Sequence, residues 1–122
     1  MDLVVAVGDQ KSVAVLSGQG GGGFGNAVLL ASGVQPRWLQ VVDVNCDGIP
    51  DVLASSGTEN KLGLLFGTGT GLAAPQLIDL STQQSGIAQA LAVRDVNFDG
   101  LADLVVGSNQ APAYLLIANV SP

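Results

Sequence analysis

Short apolar runs rich in Val, Leu and Ile alternate along the chain with breaks of Asp, Asn, Gly and Pro. The runs at 39–42, 52–54 and 62–66 have the length and β-branched character of strands. At 13–16 and 62–66 they are apolar at successive positions. A sheet with one wet face would alternate, so these strands are expected in sheets covered on both sides. The pattern also repeats. Asp2-Leu3-Val4-Val5 is matched by Asp51-Val52-Leu53-Ala54 and again by Asp103-Leu104-Val105-Val106. Ser12-Val13-Ala14-Val15-Leu16 lies over Lys61-Leu62-Gly63-Leu64-Leu65, with Tyr114-Leu115-Leu116-Ile117 at the corresponding place later. Glycine turns follow the first two of these, and a further strand follows each turn, at 26–31 and 76–80. A period of about fifty residues signals stacked supersecondary units.

Each unit reads as four short strands: one before an acidic segment, one after it, one before the glycine turn and one after. Four-stranded antiparallel units packed face to face around an axis make a β-propeller. The expected fold is therefore all-β, built of propeller blades. Residues 36–85 form one complete blade, flanked by partial blades at about 1–35 and 86–122. Leu39 and Val41 recur as Leu91 and Val93 on one face of the strand entering each acidic segment, so all four are expected in the core.

The acidic segments carry the candidate chemistry. Asp43-Val44-Asn45-Cys46-Asp47-Gly48-Ile49-Pro50-Asp51 returns as Asp95-Val96-Asn97-Phe98-Asp99-Gly100-Leu101-Ala102-Asp103. Oxygen-bearing side chains stand at positions 1, 3, 5 and 9, with glycine at position 6. Alternate side chains of such a loop converge on one point, the glycine permits the sharp turn, and the position-7 carbonyl adds another oxygen. That is a cage for a hard cation. An EF-hand opens with the same spacing but needs a Glu at position 12 and flanking helices. Position 12 is Ala54 in one copy and Val106 in the other, and the flanks read as strands.

Composition sharpens this picture. Hydrophobic residues make up 48% of the 122 and charged ones 11%, which argues against disorder. Net charge is −6, and the four basic residues are scattered, so no basic stripe is offered to nucleic acid. Six of the ten acidic residues sit in the two loops. A divalent cation in each would offset most of their mutual repulsion. With no histidine and a single cysteine, Cys/His zinc sites, His-based acid–base catalysis and Ser-His-Asp chemistry are excluded within this chain. Cys46 occupies an even loop position, where its side chain should point away from an ion. No secretion signal is recognisable at the apolar start and no run spans a membrane, so membrane insertion is not expected.

The remaining features carry less. Gly20-Gly21-Gly22-Gly23-Phe24-Gly25 occurs once and lacks a following Gly-Lys-Ser/Thr, so it reads as a hairpin rather than a phosphate loop. Trp38 is expected to pack between blades, and Asn119-Val120-Ser121 is a glycosylation sequon by spacing alone. Asp9, Glu59 and Asp79 show no spacing that suggests a catalytic pair.

Taken together, the Asp-Val-Asn-x-Asp-Gly-x-x-Asp loops, the glycine turns and the stretches Phe24-Gly25-Asn26-Ala27 and Leu72-Ala73-Ala74-Pro75 resemble FG-GAP (VCBS-type) repeats. Repeats of that kind build integrin α-chain head propellers and many bacterial extracellular propellers. The resemblance implies a calcium-binding propeller of seven-bladed type. By it, Asp43, Asn45, Asp47 and Asp51 would be side-chain ligands with the Ile49 carbonyl. Asp95, Asn97, Asp99, Asp103 and the Leu101 carbonyl would correspond, and Asp2 matches only the last ligand of such a loop. The expected function is extracellular adhesion or protein binding with calcium in a structural role. A carbohydrate-binding propeller is the alternative, and an enzymatic domain is a third class that the residues do not support. Further repeats or self-association are expected to complete the array.

Overall fold

The structure, a computed structural model, describes residues 1–81, 86–110 and 114–116. Ile117 and the sequon at 119–121 lie outside them. The fold is all-β, as the strand pattern implied. The strands are β1 (Leu3–Val7), β2 (Ser12–Leu16), β3 (Gly18–Gly20), β4 (Gly23–Phe24), β5 (Val28–Ala31) and β6 (Pro36–Val42). They continue as β7 (Asp51–Ser56), β8 (Lys61–Leu65), β9 (Gln76–Asp79), β10 (Ala88–Arg94), β11 (Asp103–Ser108) and β12 (Tyr114–Leu116). A single 3-10 turn, Gly8–Gln10, is the only helical element among the described residues.

Three antiparallel sheets result, in the orders β1-β2-β5, β6-β7-β8-β9 and β10-β11-β12. The glycine stretch forms the small separate hairpin β3-β4. Register follows the repeat: Val42 stands opposite Asp51 and Val41 opposite Val52 in the central sheet, as Arg94 stands opposite Asp103 and Val93 opposite Leu104 in the last. β6 lies against β1 on one side and β10 on the other, so the sheets stack like successive blades. Among the described residues the sheets form a row of three and no closed ring.

The stacking explains the unbroken apolar runs. Along β7, Val52 faces the first sheet with Val13 and Leu65, joined by Val4, Leu30 and Leu39. Its neighbour Leu53 faces the last sheet with Val44, Leu62, Leu64 and Phe66, joined by Val42, Leu91 and Val93. Successive side chains point to opposite faces of a strand, and both faces here are dry. Gly63 in β8 has a packing reason too. A Cβ there would run into the backbone carbonyl of Ser32, so glycine lets the first and central sheets approach.

One expectation fails. Val41 and Val93 occupy equivalent positions, yet Val93 is half-buried in the second cluster while Val41 is 48% exposed. The second cluster contains Val42 and Val44, which come from the strand and loop ahead of β7. Val41 lies on the side of β6 that faces the first sheet, and no residue of the second cluster packs against it there. Trp38 is half-buried, with the Arg37 guanidinium 4.9 Å from its ring centroid.

Candidate metal-binding loops

Each acidic loop joins the first two strands of its sheet, β6 to β7 and β10 to β11. The chain must reverse tightly there, and it does so through left-handed backbone at Gly48 (φ 85°) and Gly100 (φ 87°). Cys46 (φ 61°) and Phe98 (φ 62°) share that conformation, which an L-residue adopts at some cost.

Hydrogen bonds within the loop impose this shape. The Asp43 carboxylate accepts the amide of Asp47 at 3.1 Å and that of Gly48 at 2.8 Å. Asn45 Oδ1 accepts the same Asp47 amide at 3.2 Å, and its Nδ2 donates to Asp47 Oδ2 at 2.9 Å. Asp47 Oδ1 in turn accepts the Ile49 amide at 2.8 Å. The second loop repeats the set: Asp95 accepts from Asp99 and Gly100, Asn97 joins Asp99 in both senses, and Asp99 accepts from Leu101. Side chains 1, 3 and 5 of each loop are thus gathered on one side and oriented by backbone amides.

Position 9 behaves differently. Asp51 is fully buried, with Oδ2 on the Val44 amide and Oδ1 on the Gly67 amide, both at 2.8 Å. Asp103 is equally buried, and its Oδ2 accepts the amides of Val96 at 2.8 Å and Asn97 at 3.3 Å. Its Oδ1 is buried without a hydrogen-bond partner. In the first sheet, Asp2 Oδ1 accepts the Gly18 amide at 2.9 Å, the same bond that Asp51 makes to Gly67. The position-9 aspartate is therefore a clamp. At Asp2 and Asp51 it fastens the start of one strand to the glycine just past the next strand, and at Asp51 and Asp103 it also holds the loop before it. Sequence reading missed this role, although one signal was there: an aspartate followed sixteen residues later by glycine, at Asp2/Gly18 and Asp51/Gly67.

Among the described residues no three carboxylate, thiolate or imidazole side chains cluster closely enough to hold a metal by themselves. Each loop instead brings together two carboxylates and one amide oxygen, all hard oxygen donors, with the third carboxylate turned into the backbone. The loops are neighbours, since Cys46 Sγ of the first lies 4.0 Å from the Gly100 carbonyl of the second. Phe98, at the position equivalent to Cys46, is 92% exposed.

Two of the leftover acids are otherwise engaged. Glu59 is shared between Lys11 at 3.6 Å and Lys61 at 3.5 Å. Asp79 accepts hydrogen bonds from the Ser81 hydroxyl and amide, which hold its carboxyl below the usual aspartate value. No catalytic constellation emerges from them.

Stacked antiparallel sheets, an acidic turn between the first two strands and a buried aspartate clamp define a repeat of the propeller-blade class. A family model, the FG-GAP-like repeat, matches the chain twice, over residues 1–54 and 43–106, and the chain belongs to that family. Neither a curated protein nor a solved structure matches it. Repeats of this family are typically non-catalytic and typical of extracellular or surface proteins. No helix among the described residues is long and apolar enough to cross a membrane.

Proposed function

We propose that this chain is a propeller segment stabilised by calcium in its two acidic loops and used for protein binding or adhesion outside the cell. The observation that carries the calcium reading is the doubled donor set. Asp43 and Asn45 converge on one amide, Asp47 is tied to Asn45, and the 95–103 loop repeats the arrangement. Asp43, Asn45, Asp47 and the Ile49 carbonyl would hold one ion. Asp95, Asn97, Asp99 and the Leu101 carbonyl would hold the other. Asp51 and Asp103 keep second lone pairs that can join them, since a carboxylate offers about four acceptor sites. An ion at each loop would offset the repulsion of six carboxylates confined to two adjacent turns.

Protein binding is preferred over catalysis because Glu59 is committed to two lysines and Asp79 to Ser81, leaving no carboxylate pair outside the loops. It is preferred over glycan stacking because one face of Trp38 is taken by Arg37. The open stack implies association with further repeats, in this chain or another. Exposed apolar side chains, among them Leu3 and Leu29 of the first sheet and Leu77 at the edge of the central one, invite it.

Calorimetry with and without chelator tests the calcium reading. Calcium at a hundredfold over its dissociation constant adds about 2.7 kcal/mol per site. Asp47→Ala or Asp99→Ala should remove that gain at its own loop, and magnesium should substitute poorly because it demands tighter octahedral geometry. A melting temperature indifferent to calcium overturns the reading.

A further inference from the structure

The basic residues are scattered along the chain, but the fold brings three of the four to one end. β1 and β7 finish there and β2, β6 and β8 begin there, at the end of the sheets opposite the acidic loops. Lys11, Arg37 and Lys61 share that end with Asp9, Glu59 and Asp79. Most of these charges are matched. Glu59 is held by both lysines, and Asp79 stands opposite Lys61 across β8 and β9. Arg37 and Asp9 are left, and among the described residues neither forms an ion pair.

Arg37 is nevertheless held in place. It is the extra residue of a bulge in β6 between Pro36 and Trp38, and a bulge re-aims a side chain out of the regular alternation of its strand. Its guanidinium lies 4.9 Å from the centroid of the Trp38 ring. Its stem runs along Gly57, where an added Cβ would come within 3.0 Å of Arg37 Cδ. The bulge recurs in β10, with Gln89 and Ala90 in the places of Arg37 and Trp38. The repeat therefore accounts for the bulge but not for the arginine.

A pocket of about 260 Å³ opens at Arg37 between the first and central sheets. It is lined by Gly8 and Asp9 after β1, by Gly57 and Thr58 after β7, and by Gln35 and Arg37 around the start of β6. The Thr58 hydroxyl donates to Gln35 Oε1 at 3.1 Å, which leaves the Gln35 amide nitrogen without a partner among the described residues. The lining thus offers a cationic fork, an amide donor and a single carboxylate.

We infer that this pocket takes the carboxylate of an acidic side chain on a partner protein. Arg37 meets it through two parallel N–H bonds, the arrangement that a guanidinium matches to a carboxylate, and Gln35 Nε2 adds a donor. Asp9 accepts a backbone N–H of the same segment and repels a second negative charge, which favours a carboxylate over a phosphate. A sugar acid fits less well, because Arg37 already covers a face of Trp38 on which its ring would stack. This deepens the protein-binding reading and rests on it, but it is independent of calcium.

The probe is N-acetyl-glutamate N-methylamide, titrated into the full chain by NMR in calcium and in chelator. Saturable shifts are expected in both, confined to the amides of Gly8, Asp9, Gly57 and Thr58 and to the Arg37 Nε proton. The neutral glutamine compound and inorganic phosphate should each bind about tenfold more weakly. Arg37→Gln should cost about the same factor, and Arg37→Lys several-fold, since the charge stays and the fork is lost; both should melt with the parent. Gly57→Ala keeps every polar group but crowds the Arg37 stem, so it too should weaken the probe, and it serves if Arg37→Gln disturbs Trp38. Asp9→Asn should narrow the gap between the glutamate probe and phosphate. No saturable binding, equal binding of the glutamine compound, or indifference to both Arg37→Gln and Gly57→Ala would each overturn the inference. Tighter binding of glucuronate than of the glutamate probe would assign the pocket to an acidic glycan and overturn it as well. Failure of the probe leaves calcium stabilisation and protein binding elsewhere on the chain untouched. A melting temperature indifferent to calcium, with probe binding intact, removes only the metal reading.

Discussion

Replacing Asp51 by Asn separates the clamp from the cage. The two residues have the same shape, but the amide keeps one acceptor and turns an NH2 toward the other backbone donor. One of the two 2.8 Å bonds, to Val44 or to Gly67, is therefore lost inside a fully buried site. Stranding a buried donor costs about 1–3 kcal/mol, and more where the lost partner was charged. The expected loss is about 2–4 kcal/mol, a large share of the 5–15 kcal/mol typical of a whole domain. Urea unfolding in chelator reads this directly as a lower midpoint at unchanged slope. Asp47→Asn is the control. Asp47 is exposed and its replacement keeps an acceptor for the Ile49 amide, so the variant should unfold within about 0.5 kcal/mol of the parent in chelator. In calcium the order of sensitivity changes, because Asp47 then matters too. If Asp51→Asn were silent in chelator and harmful only in calcium, position 9 would be a ligand alone and the clamp argument would be wrong.

Val93→Asp should cost several kcal/mol, since it carries a charge into the cluster between the central and last sheets. Val41→Asp, at the equivalent position but 48% exposed, should cost less than about 1 kcal/mol by thermal melts, and equal losses would contradict that difference in burial. Gly63→Ala should destabilise by more than about 1 kcal/mol in denaturant titrations, because its methyl group meets the Ser32 carbonyl rather than a flexible side chain. A neutral Gly63→Ala would mean that the two sheets can part without loss. Asp79 should titrate by NMR below the ordinary aspartate range, and Ser81→Ala should raise its midpoint by removing the hydroxyl bond. Since the folded value is the lower one, its contribution is present above the unfolded value and is lost as pH falls through the folded one. A midpoint unmoved by Ser81→Ala would leave the backbone amide as the sole cause.

Two kinds of information in the chain differ in reach. Local pattern was legible: the β-branched runs, the glycine turns and the fifty-residue period led to strands in repeated sheets, because both faces of β7 and β8 had to be apolar. The acidic loops were legible for the same reason, since side-chain alternation and a positive-φ glycine are properties of a few consecutive residues. What was not legible depends on neighbours. Val41 and Val93 look identical in the repeat, and only the strand ahead of each differs, so periodicity assigned them one fate and packing assigned two. The aspartate at position 9 reads as a ligand when its loop is considered alone, yet its oxygens find the Gly67 amide sixteen residues away. Asp2 makes the point without ambiguity. It makes to Gly18 the bond that Asp51 makes to Gly67, so the fastening recurs from the first sheet to the central one. A residue can thus stay in register with a metal motif for reasons of chain fastening, and the blade can hold its strands together before any ion arrives.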